Sequence, residues 1–546
     1  MADGSRMARS PIEGEVDAVV VGAGFGGLYM LYKLREAGFS AQGFEAGDGV
    51  GGTWYWNRYP GARCDVPSLY YSYTWNEALQ QEWRWSEKYA AQPEILAYAN
   101  HVADRFDLRP LIAFETRVVS AHFDEQADRW RAVTDRGDEL MARWVVMATG
   151  CLSTPRAPTI PGVDSFAGET YHTGAWPHEG VDFSGKRVGV IGTGSSAIQS
   201  IPQIAAQAEH VTVFQRTANF SIPARNTPLT EADLEAFGKM YPDYMKMVKG
   251  PGFGFGGGSA ELPIPDDEAQ RQRYEELWGI GGAGFLAAWG NLLTEIKVND
   301  RAAQFVRDKI AETVKDPKVA AILQPRDHPI GTKRICVDID YFETYNRPNV
   351  TLVNLRDTPI EAIEPHAVRT SDATYGIDAL VFATGFDAMT GTLLAIDIKG
   401  VGGRPLRDAW VEGPKAYLGL AVADFPNLFL ITGPGSPSVL SNMINSIEQH
   451  VEWIIDCLAY LRAEGYTRIA ADAQTQEAWV DHVRRVADKT LFPRAASWYM
   501  GANIPGKPRV FMPYIGAGYR KKCNEVAAAG YKGFALSKER ADADAA

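Results

Sequence analysis

At 546 residues, and with about 150 residues per domain as a prior, the chain has room for three to four domains and several buried cores. Apolar residues make up 46% and charged residues 22%, a globular composition that excludes wholesale disorder and fibrous repeats. The balance of 55 Lys and Arg against 67 Asp and Glu gives a formal charge of −12, so there is no basic footprint for nucleic acid or an anionic membrane surface. Any anionic ligand must be held by a local cation cluster.

The polar stretch Met1–Asp17 lacks the apolar core of a signal peptide and reads as a short loose tail. Cys64, Cys151, Cys336, Cys457 and Cys523 are odd in number, widely spaced and without a CxxC pair, so neither a disulfide framework nor a metal site is expected, and the cytoplasm is the expected compartment. Three runs free of charge, 188–208, 277–294 and 425–447, are interrupted by Gly, Pro, Ser, Asn, Gln or Thr and read as packing or loop segments, not membrane spans.

The first clear element is the β-branched run Asp17–Val21, which ends in Gly22-Ala-Gly24-Phe25-Gly-Gly27 and passes into Leu28–Leu34 at helical spacing. The next strand, Ser40–Glu45, places a carboxylate 23 residues after Gly22, close to the separation of roughly 20 expected of a ribose-binding acid. A second unit of the same design runs through Lys186–Ile191, turns at Gly192-Thr193-Gly194-Ser195-Ser196-Ala197, and reaches Val211–Phe214, where Arg216 and Thr217 stand in place of an acid. Strands Trp144–Gly150 and Ala379–Gly385 both end in Ala-Thr-Gly and read as returns from one nucleotide domain to the other. Between them, 230–248 and 302–314 have amphipathic helical spacing on either side of a glycine loop at 250–258. Helices are also predicted over 445–462 and 475–487, and a charged, disordered tail from Lys538 onward. The predicted class is α/β: two Rossmann-like dinucleotide-binding domains with a helical insertion. The first would be FAD-binding, from segments 1–152 and 389–546. The second would be NADP-binding, from 153–222 and 329–388, with 223–328 inserted.

Glycines let the backbone approach a pyrophosphate, and the helix start supplies N–H groups and positive dipole to it. With Glu45 at its strand end, the first site suits FAD. Arg216 suits a 2′-phosphate, so the second dinucleotide is read as NADPH, contacted by Thr193, Gly194, Ser195, Ser196 and Gln199. Two such sites imply hydride transfer from nicotinamide to flavin. Cys64 has no nearby partner, so a disulfide is not the electron exit, and dioxygen or a quinone remains.

Two longer patterns then become recognisable. Phe166-Ala-Gly168-Glu-Thr-Tyr-His172-Thr-Gly-Ala-Trp176-Pro177 matches the FxGxxxHxxxWP fingerprint of type I Baeyer–Villiger monooxygenases. Gly51-Gly52-Thr53-Trp54 through Tyr59-Pro-Gly61 to Asp65 matches that family's GGxWxxxxYPGxxxD. The resemblance runs from the Gly22 turn to Trp498–Lys507 and is closest to the phenylacetone and steroid branches, particularly over Gly433–Met443.

The resemblance implies insertion of one oxygen atom from O2 beside a ketone carbonyl, giving an ester or lactone through a flavin C4a-peroxide and a tetrahedral adduct, with NADPH consumed. It assigns Arg334 as the catalytic cation and Asp65 as the acid that orients it. Lys333 joins Arg216 and Thr217 at the 2′-phosphate, and Trp498 closes the nicotinamide side. Tyr71, Val118 and Met443 fall at flavin-lining positions with Cys64 beside Asp65, and Ser438, Val439 and Leu440 fall on the substrate side. Small residues Ser436, Ser438 and Ser441 suggest a roomy pocket for aryl or bulky cyclic ketones. His172 reads as a hinge residue rather than a base, and Trp54, Trp56, Trp83 and Trp85 as core. The loop at 250–258 is expected to order over the site. A monomer or weak homo-oligomer is expected. Two alternatives stand beside this reading: a flavin-containing N- or S-oxygenase and a silent dinucleotide-binding redox sensor.

Overall fold

The computed structural model describes residues 10–250 and 263–538. It is an α/β structure in which two Rossmann-like units, each a strand, glycine turn and helix, organise two separate sheets. In the first sheet, strand Glu13–Val21 lies parallel between Ala41–Phe44 and Glu139–Met147, with Val21 opposite Phe44 on one side and Met147 on the other. Arg129–Thr134 and Val118–Asp124 continue the sheet antiparallel, and Asp397–Lys399 closes that edge. Leu428–Leu430 pairs with the end of Glu139–Met147, so residues past 390 complete a sheet begun at residue 13. The second sheet is wholly parallel, in the order Val350–Asn354, His210–Gln215, Arg187–Ile191, Ala379–Phe382, Glu169–His172. Its inner strands Arg187–Ile191 and Ala379–Phe382 are buried and read as largely apolar runs.

The stretch Glu13–Asp17, expected in a loose tail, instead forms the first half of a strand. The long partner Glu139–Met147 offers it backbone bonds from Glu139 onward, and these outweigh the polar composition.

Helix Phe25–Glu36 buries Leu28, Met30, Leu31 and Leu34 completely, in a core shared with helix Met443–Glu464; each such side chain contributes about 1.5–3 kcal/mol. Helix Ser195–Gln207 packs Ile198, Ile201 and Ile204 on Val188, Val190, Val211 and Val213. Tyr274, Phe285, Val298 and Phe305 of the helical insertion belong to that same core, so helices Asp267–Ile280 and Ile296–Thr313 are built onto the second unit. Helix Glu231–Lys249 starts at a Thr230–Asp233 capping box. It packs Phe237 and Tyr244 edge-on against Tyr70, and the Tyr244 hydroxyl accepts from Asn445 Nδ2 at 3.0 Å.

The predicted glycine loop beyond Gly250, the predicted tail beyond Lys538 and residues 1–9 lie outside the described residues. Among the described residues no helix is long and apolar enough to cross a membrane. All five cysteines are buried and unpaired.

Candidate active site

Each of the two central strands ends on a glycine in the left-handed region: Gly22 at φ +106° and Gly192 at φ +114°. A Cβ on Gly22 would sit 2.6 Å from the carbonyl oxygen of Ala148, and one on Gly192 would sit 2.5 Å from that of Ala383. The two Ala-Thr-Gly segments therefore run hard against the two turns, which explains why that tripeptide recurs. The following helices start at Gly24 and Gly194 with no side-chain cap, leaving their first N–H groups and positive ends turned to the adjoining cavities. Such an opening suits a pyrophosphate, so the residues present fit two dinucleotides.

The first turn borders a cavity of about 570 Å³ lined by Gly22, Gly24, Phe25, Glu45, Gly52–Trp54, Tyr71, Val118 and Met443. Gly27 lies beneath the turn against the Gly22 carbonyl. The Glu45 carboxylate accepts N–H bonds from Ala23 at 2.8 Å and Gly47 at 2.9 Å; burial raises its carboxyl, and these N–H donors partly offset the rise. The Trp54 indole donates to the Tyr71 hydroxyl at 3.1 Å. Trp54 and Trp56 line this cavity; Trp54, 8% exposed, also belongs to the first core as its sequence reading has it, whereas Trp56 is only half-buried. Trp83 and Trp85 do pack inside, on Tyr98.

The second turn borders a cavity of about 770 Å³ that takes in Thr193–Ser196, Gln199, Arg216, Thr217, Lys333, Arg334, Cys64, Asp65 and Trp498. Both cavities share Thr53, Trp54, Tyr71, Leu152, Val439 and Met443, so the two nucleotide clefts meet. Arg334 stands in this meeting zone. Its Nε and Nη2 donate to the two Asp65 oxygens at 2.8 and 2.6 Å, and its Nη1 donates to the Val439 carbonyl at 2.8 Å. Burial opposes the guanidinium charge, but the Asp65 charge and hydrogen bonds outweigh it and hold Arg334 more firmly protonated than a free arginine. The neighbouring Cys64 thiol is pushed up by burial and by Asp65, so it is no nucleophile. Tyr499, 1% exposed, also lies beside Arg334; it is a fixed position of neither sequence pattern, so no sequence signal marks it.

The second turn is knitted to the first domain. Gln199 accepts from the Tyr59 hydroxyl at 2.8 Å and donates to the Arg63 carbonyl at 3.0 Å, joining the helix after Gly194 to the YPGxxxD stretch. Thr193 Oγ1 donates to the Thr217 carbonyl at 2.8 Å, Ser195 lies 3.2 Å from Cys336 Sγ, and Ser196 lies 3.1 Å from Thr173 Oγ1. Burial, then the neighbouring charges of Arg216 and Arg356, pull Lys333 below the usual lysine range against the opposing charge of Asp327.

The FxGxxxHxxxWP residues lie away from the cavity junction. His172 Nδ1 accepts from Gly174 N at 2.9 Å, which leaves Nε2 as the donor to Thr384 Oγ1 at 3.1 Å, and Thr384 in turn donates to the Arg156 carbonyl at 2.9 Å. Burial lowers the His172 pKa. Gly168 packs on Phe166 and on the Asp378 carbonyl, Trp176 is buried with Phe183, and the Pro177 carbonyl accepts the Gly180 N–H at 3.2 Å. The fingerprint thus fastens the edge strand Glu169–His172 to the Ala-Thr-Gly segment.

Within the 433–443 loop, Val439 and Met443 line both cavities, whereas Ser438 and Leu440 are buried in a side cluster with Cys151 and Met389. Ser436 Oγ donates to the Gly433 carbonyl at 2.7 Å, and Ser441 Oγ to that of Ser438 at 2.9 Å. These two hydroxyls stiffen the loop, while Ser441 also lines the second cavity and Ser438 Oγ lies 3.1 Å from Cys151 Sγ.

Residues 16–226 match the family model for flavin-binding monooxygenase-like proteins. The chain is 43% identical to a Baeyer–Villiger monooxygenase of Pseudooceanicola batsensis, covering 95% of each chain. It is 40% identical to a phenazine N-monooxygenase of Lysobacter antibioticus, covering 96% of this chain and 97% of that one. The structure of an oxidised steroid monooxygenase bound to NADP superimposes with a TM-score of 0.90 at 51% identity, over 96% of this chain and all of the other. With two facing nucleotide clefts, a half-buried Arg–Asp pair where they meet, and this similarity over nearly its whole length, the chain belongs to the Baeyer–Villiger monooxygenases.

Proposed function

We propose that the chain inserts one atom of O2 between a ketone carbonyl and its neighbouring carbon, giving an ester or lactone while the other oxygen leaves as water, with Arg334 as the catalytic cation. The enzyme is an FAD- and NADPH-dependent flavoprotein monooxygenase. FAD occupies the cavity at Gly22 and the NADPH nucleotide the cavity at Gly192; when bound, the nicotinamide supplies a hydride and the reduced flavin activates O2.

The observation that carries the reading is the Arg334–Asp65–Val439 arrangement at the junction of the clefts. As an oxygen nucleophile adds to a ketone, the carbonyl oxygen becomes negative, and a fixed guanidinium in a water-poor site stabilises that charge without reorganising. Asp65 takes two of the five N–H donors and fixes the plane of the fork. Arg334 moves no proton, because its charge is locked. Arg216, Thr217 and Lys333 would hold the ribose 2′-phosphate, and an anion there would relieve the repulsion between the two cations. Val439, Leu152 and Met443 give the junction an apolar wall, suited to an uncharged aryl or cyclic ketone.

The similarity to an N-monooxygenase favours a second reading, oxygen transfer to nitrogen or sulfur, which develops no oxyanion and makes no demand on Arg334. Turnover of phenylacetone, cyclohexanone and a steroid ketone, each mixed with a tertiary amine and a thioether, under 18O2 with NADPH separates the two. One 18O atom in an ester is expected, whereas N-oxide, sulfoxide or hydrogen peroxide as the sole product would contradict the ester reading.

A further inference from the structure

Beside the cation recess at the second turn stands a third cation, Arg356, that sequence spacing does not reveal. Arg356 follows strand Val350–Asn354 by one residue, and the N–H of the intervening Leu355 donates to the Gln215 carbonyl at 2.8 Å. Gln215 ends the neighbouring strand, so Arg216 and Arg356 leave the carboxyl edge of two adjacent parallel strands, the edge at which open α/β sheets take their ligands. Arg356 Nε donates to the Arg216 carbonyl at 2.9 Å, and its Nη2 to Asp327 Oδ2 at 2.5 Å. The other oxygen of Asp327 accepts from His328 Nδ1 at 2.6 Å. The His328 side chain is only 1% exposed and lies edge-on to Phe220.

A carboxylate beside a phosphate recess repels the phosphate unless cations offset its charge. Asp327 is paired with Arg356 and near Lys333, both of its oxygens are taken, and the His328 hydrogen bond, then the charges of Lys333 and Arg356, hold its carboxyl well below the usual range against burial. Its effect is to aim Arg356. With Nε and Nη2 anchored and 54% of the side chain exposed, the guanidinium is fixed on one side and open on the other. A cation ordered before binding gives affinity without the entropic cost of ordering it.

We propose that Arg356 is a specificity-determining residue that sets the preference for a 2′-phosphorylated dinucleotide, with Asp327 and His328 as the positioning residues that hold its fork beside Arg216 and Lys333. This rests on the reading above that Arg216 faces the 2′-phosphate.

Calorimetric dissociation constants for NADP+ and NAD+, measured on the FAD-loaded protein at low and high salt, test it. Arg356→Ala weakens NADP+ roughly tenfold and NAD+ by less than about twofold, with the difference shrinking as salt rises. Arg356→Lys restores part of the affinity, and Asp327→Asn weakens NADP+ by a smaller factor than Arg356→Ala. Equal weakening of both nucleotides, or of neither, by Arg356→Ala would overturn the proposal, and tighter NADP+ binding by Asp327→Asn would overturn the positioning role. Arg216→Ala is the control. If it leaves the NADP+ to NAD+ ratio unchanged, the reading of the recess itself fails; if it collapses the ratio while Arg356→Ala does not, only the role of Arg356 fails.

Discussion

The two glycine turns have nearly the same backbone, with φ +106° at Gly22 and +114° at Gly192, and opposite chemistry one strand further on. At the first, Glu45 is 6% exposed and tied by two N–H groups to the turn and the loop beyond it. At the second, exposed Arg216 stands with half-buried Lys333 and exposed Arg356. One design thus yields an enclosed acid that suits sugar hydroxyls and an open cation recess that suits a phosphate arriving from solvent. The contrast suits a resident flavin at one site and an exchanging nicotinamide cofactor at the other.

The strongest way to break this comparison is to block each turn in turn. Gly22→Val places a Cβ against the Ala148 carbonyl in a left-handed backbone, and the expected outcome is protein purified without flavin absorbance. Gly192→Val makes the equivalent clash with Ala383, yet it should leave flavin bound and abolish its reduction by NADPH. Equal loss of flavin in both variants would show that the two sites are not separable.

A subtler exchange sharpens the comparison. Arg216→Ala should lower the NADPH over NADH ratio of kcat/KM by roughly 10- to 100-fold while leaving flavin content intact. Glu45→Gln should weaken flavin retention by roughly tenfold, read by dialysis, because the amide still accepts one N–H bond but lacks charge.

The last effect is read in folding stability and not in cofactor binding, and concerns the support of the first region. Glu448 is wholly buried and accepts from Thr74 N, Thr74 Oγ1 and Trp75 N; burial raises its carboxyl from 4.5 to about 7 against those bonds. A carboxyl raised in the folded state holds its proton there after the unfolded chain has lost it. Stability contributed by the neutral form is therefore complete below about 4.5 and is lost as pH rises toward 7, by on the order of 3 kcal/mol. Glu448→Gln should flatten the fall in Tm over that window. An unchanged slope would mean that Glu448 does not titrate there.

Local signals made the fold legible. A β-branched run, a glycine turn and an acid or a cation at the next strand end are properties of consecutive residues, and they located both sheets and both helix starts. Glu13–Asp17 was misread because a strand can be polar where a long neighbour offers it backbone partners. The site was legible only in part. Arg334 and Asp65 are 269 residues apart, so no spacing joins them, and only the family resemblance did so. Asp327, His328 and Arg356 form their cluster across separate elements and carry no motif of their own. What the serines of the 433–443 loop bond to was not legible, because residue size does not say where a hydroxyl points: Ser436 and Ser441 bond back to the loop, and Ser438 faces Cys151.

The central claim is that the fixed charge of Arg334 serves oxygen insertion and not flavin reduction. Single-turnover mixing of Arg334→Ala with NADPH, then with O2 and a ketone, tests it most directly. The account predicts bleaching of the flavin at close to the wild-type rate with ester formation lowered by roughly a thousandfold or more. Ester at wild-type yield from that variant would contradict it.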